Sequence, residues 1–306
     1  MSTTLTLGRR PVTDAAPAGR SRSWAGLGLA PFGLYIAAFF LLPTGVLLWS
    51  AFRGVDASGA TTFTTHSIGQ SLQGVYLTAL EHSIELSAIT AVVSAALGLV
   101  LAWAITNGRS GLVKQLVSSA SAVLANFGGL PLAFLFVATI GNNGLLTKLL
   151  SHVGISLSDD LHFQLYSLVG VEVVYLYFLI PLMVLVITPA LEGLRPQWRE
   201  AADNLGASGW QYWRYVAGPI LAPSIAGSVA LLFCSSFSAF ATADALTNGT
   251  LSLTPLQIKS ELSGNVLAGP DTQNIAAALA LDMVIVVVPL TLLYQAMQRR
   301  TARWLR

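Results

Sequence analysis

Charge is what this chain of 306 residues has least of. Asp, Glu, Lys and Arg together make up 10% of it, against 54% hydrophobic residues. Soluble domains average about 25% charge, so a water-soluble fold of this size could not keep its surface wetted, and a bilayer is the solvent for most of it. Cysteine is nearly absent as well. Cys234 stands alone inside an apolar segment, which excludes an intramolecular disulfide and leaves packing as its role. The chain contains no GxxxxGK[ST], so it does not bind ATP through a P-loop. His66, His82, His152 and His162 are scattered through connections and segment ends, and no metal-ligand cluster forms in the sequence. No nucleic-acid partner is expected.

What is present is continuous apolar sequence. A spanning helix needs about 20 mostly apolar residues, and six segments qualify: 28–50, 82–106, 116–140, 166–190, 222–246 and 274–297. Their hydrophobic runs do not alternate, so they predict helices rather than barrel strands. Residues 1–27 are rich in Arg, Ser, Pro, Gly and Ala and predict a disordered cytoplasmic tail. The apolar run that follows is longer than a signal-peptide core and reads as an uncleaved first helix, 28–50. With the N-terminus inside, 13 of the 16 basic residues fall inside, and only Arg53, Lys148 and Lys259 fall outside. Both termini and the 191–221 connection are therefore expected on the cytoplasmic side. The outer connections are 51–81, 141–165 and 247–273, and the last two are long enough for a short helix or re-entrant element each.

Ionisable groups inside a membrane are expensive and usually functional. Glu85, Glu172, Asp244 and Asp282 lie in or near the spans, all toward their outer halves, and no basic residue lies deep in any span. Such an acidic vestibule would attract a cation. The competing reading is that each carboxylate sits at the interface, accepts helix-terminal hydrogen bonds, or is neutralised by burial. In the second span Ala91, Ala95, Gly98 and Ala102 recur every three or four positions, a ridge that lets helices approach closely. That ridge serves either internal packing or an interface with another subunit.

The connection 195–220 is polar and helix-competent. Pro196 suits a first helical turn. Trp198, Ala201, Ala202 and Leu205 form an apolar ridge at helical spacing, and Gly206 suits a left-handed helix terminus. Ser208 can cap a second helix with Trp210, Trp213 and Val216 on one side, and Pro219 and Pro223 mark a turn into the fifth span. On physics alone this is as consistent with an amphipathic helix lying on the membrane as with a partner-docking element.

Residues 200–219 also resemble the EAA loop of binding-protein-dependent ABC importer permeases, whose pattern is Glu-Ala-Ala, three residues, Gly, nine residues, Ile-x-Leu-Pro. Glu200, Ala201, Ala202, Gly206 and Pro219 match, Val216 replaces Ile, and Gly218 departs from Leu. Together with the long first outer loop, the layout of 75–300 is similar to the first permease of the spermidine/putrescine branch, and to relatives handling thiamine, iron or phosphonates. The resemblance implies an all-α, six-helix type I importer fold, like that of methionine permeases, in a bacterial inner membrane. It implies that Arg199, Glu200, Ala201, Ala202, Leu205, Gly206 and Pro219 couple to a cytoplasmic ABC ATPase dimer. That dimer would bind the ATP and Mg²⁺, this chain carrying no cofactor. A second permease, either a distinct chain, as the polyamine-type layout favours, or a second copy of this one, and an extracytoplasmic binding protein would complete the complex. A stand-alone secondary carrier or channel is the alternative. Against it, the six spans show no inverted repeat with broken helices, and the loop pattern would have no purpose. A scaffold would not need the acids.

Overall fold

A computed structural model of the chain describes residues 24–55, 61–108, 110–154, 157, 163–247, 249–263 and 272–304. Residues 1–23 of the expected tail lie outside the described residues. The chain divides into two units, Met1–Val46 and Leu47–Arg306. In the first, α1 (Trp24–Ile36) begins a little before residue 28 and carries Pro31, and a widened π turn, Ala37–Leu41, leads from it to α2 (Leu42–Ala51). Its Phe32, Leu34, Phe39 and Phe40 are exposed, as side chains that face lipid would be.

In the second unit, β1 (Arg53–Val55) and β2 (Thr61–Phe63) pair antiparallel, with Arg53 opposite Phe63, and Phe52 stacks on Phe63. Then come α3 (His66–Ser71), α4 (Gly74–Asn107), α5 (Gly111–Asn126), α6 (Leu130–Ile140), α7 (Leu145–His152) and α8 (Leu168–Glu192). The chain continues with α9 (Pro196–Asn204), α10 (Gly209–Tyr212), α11 (Gly218–Phe237), α12 (Ala241–Thr247), α13 (Thr254–Leu262) and α14 (Thr272–Trp304). Among the described residues six stretches are long and apolar enough to cross a membrane: Ala30–Ala51, Gly74–Asn107, Leu130–His152, Leu168–Glu192, Gly209–Phe237 and Thr272–Met297. Short helices do occur in the second and third expected outer connections, α7 and α13, but α7 falls within the membrane-crossing stretch Leu130–His152, which lies C-terminal to the expected third span, 116–140.

The core sits where α4 packs between α8 and α11. The small-residue ridge of α4 serves this internal contact. A Cβ on Gly98 would lie 2.6 Å from Met183 Cβ and 3.0 Å from the Ile180 carbonyl oxygen, so only Gly permits the approach of α8. A second buried stripe on α4 is hydroxylic. Ser83 Oγ accepts the Thr254 N–H at 2.8 Å, which ties the start of α13 to α4, and Thr90 Oγ1 lies 2.9 Å from Ser236 Oγ on α11.

Two of the expected spans are not continuous. The third, 116–140, is α5 and α6 joined through Phe127–Gly129, with Gly129 at φ +75°. The fifth, 222–246, is α11 and α12 joined through 238–240. The expectation of unbroken spans is corrected here. An apolar run hides a break because the side chains stay lipid-compatible while the backbone groups are satisfied elsewhere. The two breaks satisfy each other. Gly129 N–H donates to Thr242 Oγ1 at 2.9 Å, and the Thr242 hydroxyl lies 3.3 Å from the Gly129 carbonyl. Tyr175, fully buried on α8, donates its hydroxyl to the Ala239 carbonyl at 2.6 Å.

Thr242→Val keeps the shape and removes both bonds to Gly129. Hydrogen bonds between helices in membranes are worth about 0.6–1.7 kcal/mol each. The variant is expected to unfold at a measurably lower temperature in detergent, with Thr242→Ser close to the natural chain. Equal melting of Val and Ser variants would refute the interlock.

Candidate functional site

The connection between α8 and α11 folds much as its residues dictate. Pro196 opens α9 at its first turn. The helix closes on Gly206 at φ +75°, where Ala207 N–H reaches back to the Ala202 carbonyl at 3.0 Å and Gly206 N–H to that of Asp203 at 3.0 Å. Both bonds satisfy carbonyls a helix end would otherwise orphan. Ser208 then caps α10. Its hydroxyl accepts the Gln211 N–H while the Gln211 side chain accepts the Ser208 N–H at 2.7 Å.

The ridge expected on α9 divides between two faces. Ala202 is buried with Tyr212 and Ala217, and Trp198 packs against them. Ala201 and Leu205 face outward, Leu205 at 88% exposure. Trp210 and Tyr215 are 72% and 69% exposed beside them. A groove of about 530 Å³ is lined by Trp198, Ala201, Leu205, Gly206 and Tyr215. Arg199 is held within the segment, donating to Asp203 at 3.1 Å with its guanidinium 5.1 Å from the Tyr212 ring centre, and Glu200 is exposed.

Two expectations fail in this connection. Trp210 and Trp213 do not share a side: Trp213 turns inward and meets Trp103 of α4 edge-on at 6.3 Å. No turn occurs at Pro219 either, because α10 runs into α11 through a π turn, Trp213–Ala217. In a regular helix the Pro219 ring would meet the carbonyl four residues back, and the widened turn before it relieves that clash. The signal for this turn was legible in the Gly218-Pro219 pair.

The four acids part company in the structure. Asp244 on α12 is bound by Lys259 of α13, with Nζ 2.6 Å from Oδ2, so it is not an uncompensated charge. Lys259 belongs to a connection the sequence places outside, and α13 brings it back over α12. Asp282 is only 6% exposed and sits at the junction of α14 with α3, beside Ser71, whose hydroxyl donates to the Ile68 carbonyl at 2.9 Å, while Asp282 Oδ2 finds no hydrogen-bond partner among the described residues. That junction is a separate apolar cluster of Ala51, Ala277 and Ala278 with Ile68, distinct from the α4–α8–α12 core. Residues 51–81 read as loop, and nothing in the sequence announced that α3 would cover it. Glu172 on α8, half-buried, and Glu85 on α4, exposed, remain. Toward the same end, the Tyr76 hydroxyl donates to Glu261 at 2.8 Å.

Residues 94–306 match the family of the binding-protein-dependent transport system inner membrane component. The chain belongs to that family. It is similar to the sulfate transport system permease protein CysT of Escherichia coli, 28% identical over 218 residues that cover 70% of this chain and 72% of CysT. It is 29% identical to the thiamine transport system permease protein ThiP of Salmonella typhimurium over 55% of this chain and 30% of ThiP. Identity is 23% to the ferric transport system permease protein FbpB of Actinobacillus pleuropneumoniae, over 83% of this chain and 36% of FbpB. The chain thus spans about a third of the length of these last two relatives. A chain of a bacterial ABC transporter that imports alginate superposes with a TM-score of 0.69 at 17% identity, covering 91% of this chain and 96% of that one, a likeness of fold. The permease is therefore a multi-pass inner-membrane subunit of an ABC importer that works with a binding protein and a separate ATPase. It is not itself an enzyme, and a stand-alone carrier is set aside.

Proposed function

We propose that this permease forms one half of the importer's pore and takes hold of its ATPase through Pro196–Val216. The exposed Leu205, Trp210 and Tyr215 around the Ala201–Gly206 groove carry the reading, since three large apolar side chains beside small ones are what a partner's surface covers. The charge count across the connections supports placing this segment and both termini in the cytoplasm. The ATPase dimer, holding ATP and Mg²⁺, closes and pushes α9. The permease pair, of this chain and a distinct second one, opens outward, and the binding protein releases its cargo between them. Tagging the chain, extracting it gently and identifying what co-purifies tests this: an ATPase and a second permease are expected. A lone homo-oligomer without ATPase, reproducible across detergents, would overturn it.

For the substrate we favour a small cation, a polyamine or else thiamine or iron, on the strength of Glu172 and Glu85 at the outer end of the path. A second reading, an oxyanion such as sulfate or a phosphonate, is favoured by the likeness to CysT. Radiolabelled putrescine, thiamine, ferric iron and sulfate distinguish them in uptake assays. One carboxylate at about 4 Å in a wet vestibule is worth roughly 1 kcal/mol to a monovalent cation. Glu172→Gln is therefore expected to slow uptake of a cationic probe about fivefold. Uptake of sulfate alone, unchanged by Glu172→Gln, would sink the cationic reading.

A further inference from the structure

The widened turn between α10 and α11 shifts by one residue which of two adjacent aromatic side chains lies in phase with the buried face of α11. Gly218 N–H bonds to the Trp213 carbonyl five residues back, and the helix continues on both sides without a loop. On α11 the buried positions Ala217, Leu221, Ser228 and Leu232 follow ordinary helical spacing. Continued backward as a plain α-helix, that face would place Trp213 under Ala217 and swing Tyr212 about 140° around the axis. Instead Tyr212 lies under Ala217, 7% exposed, against Ala202 of α9, and Trp213, at the edge of the same cluster, also reaches Trp103 at the inner end of α4. One extra residue in the turn thus gives the docking segment a foothold in two places, one inside itself and one on the bundle.

Gly218 is what permits it. Its backbone is ordinary right-handed helix, so conformational freedom is not the reason. A Cβ there would lie 2.6 Å from the Trp213 carbonyl oxygen, a backbone atom that cannot step aside. This is also the position at which the chain departs from the Leu of the family pattern. Pro219 supplies the complementary push, since it has no N–H for a regular helix to use and its ring crowds the preceding turn. Single π turns of this kind are costly and recur at functional positions.

We propose that Gly218 is a positioning residue: it holds open the Trp213–Ala217 turn, which sets the register of the ATPase-docking face against α4 and α11 and passes movement of that face to Trp103. The coupling role rests on the docking reading above, whereas the register does not. Any side chain at 218 closes the turn, so Gly218→Ala acts like Gly218→Leu despite the difference in bulk. The segment before it then rotates about 100° relative to α11, and either Tyr212 or Trp213 loses its partner.

The test uses the complete transporter with fluorinated tryptophan and fluorine NMR, the Trp213 resonance being assigned by Trp213→Phe. In the natural chain Trp103→Phe is expected to move the Trp213 resonance. In Gly218→Ala that sensitivity is lost, and the ATPase retained on the tagged permease falls about tenfold. A Trp213 resonance indifferent to Trp103→Phe in the natural chain overturns the proposal even if no variant folds. An Ala variant that keeps both the resonance and the ATPase, with only Leu impaired, overturns it too, because bulk rather than the turn would then be the cause. Failure of the docking reading shows separately, as normal ATPase retention in Ala201→Asp with Gly218 untouched.

Discussion

Glu200→Lys combined with Ala201→Asp is expected to strip the ATPase from the permease while the permease stays folded in the membrane. Both positions are exposed on α9, Ala201 lines the docking groove, and neither side chain supports the bundle. The folded state therefore has nothing to lose, and the cost falls on the complex. A carboxylate buried without a partner at an interface costs about 3 kcal/mol or more, which is roughly a hundredfold in affinity. Gly206→Asp separates charge from backbone strain at the same face. Gly206 is left-handed, but a Cβ there meets nothing within 4 Å. Asn tolerates that conformation about as well as Asp, so Gly206→Asn should retain most of the ATPase and Gly206→Asp very little. The measurement is ATPase recovered per tagged permease, alongside ATP hydrolysis by the recovered complex. Full recovery with Asp at 201 and Lys at 200 would remove α9 from the interface.

Gly98→Leu is expected to destabilise the bundle strongly. The added Cβ alone would stand 2.6 Å from Met183 Cβ and 3.0 Å from the Ile180 carbonyl. The remaining carbons have no void to enter, since Ala91, Ala95 and Ala102 on the same ridge are buried as well. Overpacking of this sort costs 1–3 kcal/mol, occasionally more, and here a backbone oxygen limits relaxation, so about 3 kcal/mol or above is expected. That is roughly 10 °C of melting temperature for a domain of this size. Gly111→Leu is the control, because nothing lies within 4 Å of a Cβ at Gly111. Detergent-extracted yield and thermal unfolding of the two variants should differ sharply. Similar melting of both would mean that α4 and α8 can separate at little cost.

Several local features were legible because they depend only on neighbours in the chain. Pro196 opening α9, Gly206 closing it and Ser208 capping α10 are each satisfied within a few residues, so composition and spacing sufficed. The Ala–Gly ridge announced a close approach, though not its partner. The acids were harder. Position along a helix says how deep a carboxylate lies and nothing about which neighbour it meets. Lys259, which reaches Asp244, and α3, which covers Asp282, both come from connections outside the spans. The breaks at Gly129 and Ala239 were hidden for the same reason, since their missing hydrogen bonds are made up by Thr242 and Tyr175 far away in sequence.

By itself, then, the sequence determined the solvent, the number of membrane-crossing stretches, the expected sidedness and the local turns of the 195–220 connection. Hydropathy, charge placement and turn chemistry are properties of runs of adjacent residues. Only the tertiary structure decided where the spans break, that Asp244 finds a counter-charge, and that Tyr212 is buried against α9 while Trp213 also reaches α4. Inside a bilayer every backbone group must find a hydrogen bond within the protein. A helix can therefore be interrupted, or widened by one residue, only where another element supplies the missing contact, and that element is chosen by packing rather than by proximity along the chain.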